Sequence, residues 1–459
     1  MVDQRENALR YASSNKENFL RTYQEILLIP SISTDKLHLP DIQRAAEWLA
    51  KQLHALGMQK VQLFPTSQSP IVYGEMLGMS GAPTVLIYGH YDVQPVDPLE
   101  LWQTGPFEPT VVGEDIYARG ASDMKGQAVI TLKAVESLLQ TGGLPVNIKW
   151  LFEGEEEVGS PNLEAFIAAH TDLLACDFAV NPDSGMIGKE YPTITYGLRG
   201  LAYFELRVHG PAHDLHSGGY GGVVHNPANA LAELIAGMHD DNGRVTLPGF
   251  YDRVRELSQE EHAELSRLPI DERHFLEQTG VSHLYGESGF TPIERTGARP
   301  TLDVNGLLSG FTGEGSKTVI PAWAMAKLSM RLVPDQDHRE VHQQLIQYLE
   351  EHAPKDIHWE LKTLAGNPAS ISQRKTPGVR AMAKALETVW GRQPYFKREG
   401  GSIPVVGDMQ RLLGVESVIC GFGLPDDNVH APNEKQNLPT WYRGIEAYIH
   451  FFLNLSNGR

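Results

Sequence analysis

At 459 residues the chain is too long for one ordinary hydrophobic core and reads as two domains. Its 41% hydrophobic and 21% charged residues are those of a globular protein. A formal net charge of -18 argues against nucleic acid or anionic membrane as partners, since both select basic patches. No apolar run is long enough to span a bilayer, and the polar N-terminus carries no secretory signal. Two cysteines, Cys176 and Cys420, make no disulfide framework, so a cytoplasmic location is expected.

Residues 17–28 and 42–56 read as helices. In the second, Ile42, Ala45, Ala46, Leu49, Leu53 and Leu56 share a face, and Gly57 can end it. Short strand-like pieces follow at 61–64 and 71–77. Residues 84–89 form a continuous apolar run typical of a central strand, ending at His90-Tyr91-Asp92-Val93. Helix-like 126–139, strand-like 146–152, helix-like 163–174 and strand-like 177–180 then alternate. That alternation predicts an α/β domain with a mostly parallel sheet between helices, and such sheets place their sites at the carboxyl ends of strands.

After Gly200 the texture changes. Residues 201–208 alternate like a half-exposed strand, 226–238 form an amphipathic helix, and 247–300 are polar with turn signals. Strand-like 323–333, helix-like 338–350 and strand-like 357–364 complete a small α+β domain with one exposed sheet face. From about residue 376 the first texture returns, with a helix at 376–390, a strand at 417–419 and a closing helix at 444–455. The middle is therefore an insertion, residues 199–374, within a discontinuous first domain of 1–198 and 375–459.

The chemistry concentrates at strand ends. The run 146–152 stops at Glu153-Gly154-Glu155-Glu156-Glu157. Glutamates this close repel one another, and burial without a cation drives some toward protonation. An isolated acidic run is more often a solvated loop. Here it has company. His90-Tyr91-Asp92 ends a strand, and a carboxylate two residues from an imidazole can fix its tautomer. Asp123, in Gly120-Ala121-Ser122-Asp123-Met124-Lys125-Gly126, suits a ligand and equally a helix N-cap. Asn181-Pro182-Asp183-Ser184 follows an apolar strand, and a late loop, Pro425-Asp426-Asp427-Asn428-Val429-His430-Ala431-Pro432-Asn433-Glu434, carries a histidine. Two histidines and several carboxylates are the mixed donor set of two zinc-like ions sharing a carboxylate, with one glutamate left over as a general base.

The ordered set Gly89-His90-Tyr91-Asp92, Gly120-x-x-Asp123-x-Lys125-Gly126, Glu153-Gly154-x-Glu156-Glu157-x-Gly159-Ser160, Asp183 and His430 resembles the dinuclear-zinc M20 peptidases, from about residue 28 to the C-terminus. The resemblance implies His90 and Asp183 on one metal, Glu157 and His430 on the other, and Asp123 bridging. It implies Glu156 as base and proton shuttle, and Asp92 as the carboxylate behind His90. Glu155 receives no ligand role, and Glu153 is expected to be structural. Zinc suits the donors, and manganese or cobalt could occupy the same set.

The insertion adds His213-Asp214-Leu215-His216-Ser217-Gly218 and Gly221-Gly222-Val223-Val224-His225-Asn226-Pro227, which resemble the lid motif of the dipeptidase and carnosinase branch. That resemblance implies that His216 acts across a homodimer interface, stabilising the oxyanion in the neighbouring subunit, with the dimer surface on the insertion. The segments around Thr318 and Arg331 match the same branch. Arg331 is then expected to clamp a substrate carboxylate, with polar contacts from Thr318 and from Gly401 and Ser402. The expected activity is metal-dependent hydrolysis of dipeptides, or of short peptides from their C-terminus. N-acyl amino acid deacylases resemble the chain at the same ligands but are usually shorter. A non-catalytic relative would be expected to lack Glu156 or a ligand.

Overall fold

The computed structural model describes residues 2–456. Two compact units emerge: Met1–Tyr196, Ser372–Lys397 and Asp408–Arg459 form the first, and Gly197–Ile371 with Arg398–Gly407 the second.

In the first unit, β1 (Lys60–Phe64) and β2 (Ile71–Met76) make an antiparallel hairpin. β3 (Thr84–His90), β4 (Asn147–Glu153), β5 (Phe178–Asn181) and β6 (Thr193–Leu198) follow, with a late strand at Ser417–Ile419. Their order across the sheet is β1, β2, β4, β3, β5, Ser417–Ile419, β6. The centre, from β4 to the late strand, is parallel. β3 and β4 are buried along nearly their whole length, as expected of parallel strands covered on both faces. Their register runs from Thr84 opposite Asn147 to His90 opposite Glu153. The two strands therefore stop level, and the chain after His90 leaves the sheet beside the chain after Glu153.

The helix Leu39–Ala55 begins with Pro40 in its first turn and buries Ile42, Ala45, Ala46, Leu49, Ala50 and Leu53. Gly57, at φ 79°, turns the chain out of it. Helices Gly126–Leu139, Pro377–Trp390 and Leu438–Ser456 share one apolar core with the sheet. The last begins earlier than the sequence predicts. Asn437 caps it, its Oδ1 accepting from the Thr440 N–H and hydroxyl, and the Trp441 indole N–H donates to the Gly126 carbonyl at 2.9 Å. The helix predicted over 163–174 is broken in two at His170, whose backbone (φ -128°, ψ 32°) leaves the helical region.

The second unit is an antiparallel sheet of β7 (Gly200–His209), β8 (Thr301–Ser309), β9 (Trp323–Leu332) and β10 (His358–Asn367), in the order β8, β9, β7, β10. β7 and β9 alternate strictly. Ala202, Phe204, Leu206 and Val208, with Ala324, Ala326, Leu328 and Met330, are buried in one core with the helices Pro227–Gly237 and His338–His352. Sequence periodicity misses β8. It is an edge strand whose register slips between Val304 and Gly306, and Asp303, Asn305 and Gly306 dilute its apolar pattern. Among the described residues no helix is long and apolar enough to cross a membrane, and Cys176 and Cys420 are unpaired.

Gly126 opens its helix where there is no room for a side chain. A β-carbon there would lie 2.2 Å from the Ala121 carbonyl oxygen and 2.6 Å from the Tyr23 hydroxyl. Gly126→Ala is expected to destabilise the protein by about 3 kcal/mol, at the top of the range for overpacking. A urea midpoint equal to the parent's would contradict that close approach.

Candidate metal centre

The level ends of β3 and β4 put His90 and the loop 153–157 side by side, and the ends of β5 and the late strand bring two more loops to the same edge of the sheet. There Asp123 stands between two imidazoles. Its Oδ1 is 3.1 Å from His90 Nε2, and its Oδ2 is 2.9 Å from His430 Nε2. Asp183 Oδ2 lies 3.8 Å from His90 Nε2, and Glu157 Oε2 lies 3.2 Å from His430 Nε2. Two donor groups result, His90–Asp123–Asp183 and Asp123–Glu157–His430, each with its ligand atoms within 4.8 Å of one another. Asp123 belongs to both and offers a different oxygen to each.

The electrostatics fit two cations. Burial, with Asp123 and Glu157 nearby, pushes the Asp183 carboxyl up to about 7 against the pull of His90 and His430. His430 is raised to about 10 by its hydrogen bonds to Asp123 and Glu157. Acids pushed toward protonation beside bases pushed toward protonation mark a cluster in which negative charge exceeds what the protein's own groups neutralise. Divalent cations bound by these nitrogen and oxygen donors relieve it.

Several of these candidate ligands are held from behind. His90 Nδ1 is 3.1 Å from the Asp92 carbonyl oxygen and 3.4 Å from its carboxylate, leaving Nε2 to face the cluster. The Asp92 carboxylate also accepts the Glu156 N–H at 3.2 Å and the Glu157 N–H at 3.0 Å. It therefore fixes the acidic loop as well as the imidazole. Gln94 donates to Glu157 Oε2 at 2.7 Å, and Asn181 accepts the Asp183 N–H at 2.8 Å. Sequence reasoning misses Gln94 and Asn181 in these roles, although both lie beside motif residues.

Glu156 behaves differently. Burial, then the charges of Asp183, Asp123 and Glu157, raise its carboxyl to about 9, with His90 opposing. No hydrogen bond or ion pair ties that carboxylate among the described residues. It sits against the donor groups without belonging to either.

The remaining predicted residues lie in the second unit. His216, exposed, ends a short strand pair in which it faces Val319. Its Nδ1 lies 3.3 Å from the Thr318 carbonyl, the Thr318 hydroxyl and the Gly218 N–H. Arg331, half-buried near the end of β9, reaches the Ser402 hydroxyl at 3.5 Å, and Gly401 beside it is exposed. The fold thus pairs Thr318 with His216, and Arg331 with Ser402.

The model of peptidase family M20/M25/M40 matches residues 86–454. The chain belongs to that family. It is 31% identical to a Cys-Gly metallodipeptidase of Candida albicans, over 95% of each chain. It is 30% identical to human Beta-Ala-His dipeptidase, over 98% of this chain and 92% of that one. Among solved structures, an M20 family metallo-carboxypeptidase from Sulfolobus solfataricus superposes with a TM-score of 0.85 at 35% identity, covering 96% of this chain and 99% of that one. The protein is a metallopeptidase by family, and the two donor groups around Asp123 are consistent with a dinuclear site.

Asp92→Ala removes the common acceptor behind His90, Glu156 and Glu157. It is expected to weaken metal binding by about 10- to 100-fold, the usual effect of losing such a partner. Chelator competition checks this, and parent-like affinity would show that the ligands hold themselves.

Proposed function

We propose that this chain is a two-metal dipeptidase that hydrolyses dipeptides, or very short peptides with a free C-terminal carboxylate. The observation that carries the reading is Asp123 turning one oxygen to each of two histidines, with Glu156 unbonded beside them. The names borne by the Candida albicans and human relatives, both dipeptidases, point the same way.

His90 and Asp183 would hold one ion, Glu157 and His430 the other, and Asp123 both. Zinc suits these donors best. Ions held there supply Lewis acidity toward the scissile carbonyl and favour ionisation of water. Glu156 takes the proton from the attacking water as the C–O bond forms and the carbonyl oxygen becomes an oxyanion, then returns it to the leaving amine as the C–N bond breaks. The Glu156 carboxylate, with no hydrogen bond of its own among the described residues, is free to do this. Arg331, with no ion-pair partner among the described residues, grips the substrate carboxylate through its planar fork, with Ser402 and Gly401 closing that pocket.

His216 supplies a hydrogen bond to the oxyanion of the neighbouring subunit's substrate, and Thr318 sets the orientation of its ring. A homodimer follows from that role. The unpaired edge of β8 supports it, since Val304, Leu307, Leu308 and, just beyond, Phe311 are exposed there. Unpaired cysteines suit a reducing, cytoplasmic setting.

Purified enzyme is expected to cleave free dipeptides and to lose that activity with chelator. Cleavage of N-acetyl or N-succinyl amino acids alone would overturn the dipeptidase reading. Glu156→Gln is expected to keep metal and peptide affinity while losing about 10²- to 10⁴-fold in kcat. His216→Ala is expected to lose about 10²- to 10³-fold with metal content unchanged. Mixing these two impaired variants should regenerate activity, because each mixed dimer contains one site with both residues intact. No recovery on subunit exchange would place His216 within its own chain's site.

A further inference from the structure

We infer that Glu434 is a positioning residue of the metal centre, the carboxylate that fixes Asp123 between its two histidines. The inference rests on the reading of Asp123 as the ligand common to both ions. Glu434 is 1% exposed and lies in the same loop as His430. Its Oε2 accepts from Arg119 Nη1 at 2.9 Å and the Gly120 N–H at 2.8 Å. Its Oε1 accepts from the Ser122 N–H at 2.9 Å and the Asp123 N–H at 3.0 Å. Four donors on two oxygens fill the acceptor capacity of a carboxylate.

The turn is shaped for this anion. Gly120 takes φ 82°, a left-handed conformation that glycine adopts without cost, and its own N–H and those of Ser122 and Asp123 converge on one carboxylate. The Ala118 N–H adds a bond to the Glu434 main-chain carbonyl at 3.1 Å. A second strut runs parallel. The Ser122 hydroxyl donates to Asp427 Oδ2 at 2.7 Å, and that oxygen also takes the Leu424 N–H at 2.7 Å. The loop 424–434 therefore grips the turn 120–123 at two points and presents His430 between them.

Charge pairing with Arg119 does not account for this arrangement. Arg119 also donates to the Pro95 carbonyl at 2.9 Å and stands over the Trp102 ring at 5.3 Å. It uses one oxygen of Glu434. The other serves the peptide groups of Ser122 and Asp123 alone. Holding the Asp123 peptide leaves both oxygens of the Asp123 side chain free for the cluster, and it does so from the loop that brings the second histidine. One carboxylate thus sets the distance between the two halves of the site.

The test is metal affinity. Glu434→Gln keeps the shape of the side chain but turns an amide NH₂ toward N–H donors whichever way it is rotated. It is expected to weaken binding of both ions by about 10- to 100-fold in competition with a chromophoric chelator, and to alter the absorption spectrum of the Co²⁺-loaded protein. Glu434→Asp keeps the charge but shortens the reach, and the same loss is expected should the glutamine variant not fold. Glu287→Gln is the control for loss of a buried carboxylate. Glu287 pairs with Arg299 and Arg244 in the second unit, and its variant is expected to lower Tm without moving metal affinity. A folded Glu434 variant that binds both ions within about twofold of the parent, or that weakens only one of them, overturns the proposal. Asp123→Asn, titrated alongside, separates the two ideas: if it retains both ions, the shared-ligand reading fails whatever Glu434 does.

Discussion

Like charges held within a few ångströms of one another set the terms for the first unit. Asp123, Asp183, Glu156 and Glu157 converge on two imidazoles, and left alone they would spread apart. The fold prevents this chiefly by holding the main chain. Glu434 takes the N–H groups around Asp123, Asp92 takes those of Glu156 and Glu157, and Asn181 takes that of Asp183. In each case a side-chain acceptor holds the backbone of a ligand-bearing loop. The candidate ligand side chains are then aimed largely by their main chain, and only Glu157 takes a further side-chain bond, from Gln94, on the oxygen that faces His430.

The sheet makes that economy possible. Parallel strands end together, so loops distant in sequence emerge as neighbours, and the level ends of β3 and β4 are the clearest case. The second unit divides the work differently. Its sheet buries one face under two helices, and the groups expected to meet substrate sit at strand ends: His216 at the end of a two-residue strand, Arg331 near the end of β9. The metal-ligand candidates lie in the first unit, and the oxyanion and carboxylate contacts proposed above lie in the second.

Much of this is legible in the sequence, for reasons that also mark where legibility stops. Central strands show as apolar runs, and the two-residue alternation of β7 and β9 is plain. The five ligand candidates are legible only as an ordered set that resembles a family, because His90-x-Asp92 or Asp123 alone fits a hydrogen-bonded loop or a cap equally well. β8 is hidden by the polar residues at its bulge. Gln94, Asn181 and Glu434 are hidden for another reason. Their roles consist of hydrogen bonds to ligand loops: those of Gln94 and Glu434 reach residues 63 and more than 300 positions away, which no spacing rule encodes, and that of Asn181 is a local turn that any loop can contain.

The acidic run shows how far environment outweighs residue type. Glu153 is buried against the Tyr88 and Ser160 hydroxyls, at 2.6 and 2.9 Å, and burial raises its carboxyl to about 8. It is a core residue that joins β3 to the loop. Glu155 takes the Ser69 N–H at 2.8 Å, the Asn162 amide at 2.7 Å and the Thr66 hydroxyl at 3.1 Å, so it staples two surface loops. Glu157 is shared by Gln94 and His430. The Glu156 carboxylate alone has no hydrogen bond among the described residues, its N–H donating to Asp92. Four glutamates within five residues thus divide into a buried acid, a loop staple, a ligand candidate and a carboxylate with no side-chain partner. The charge run reads as a solvated loop only while its partners are unknown; separate donors fix Glu153, Glu155 and Glu157, and the carboxylate left without a donor is the one proposed above to exchange a proton with substrate.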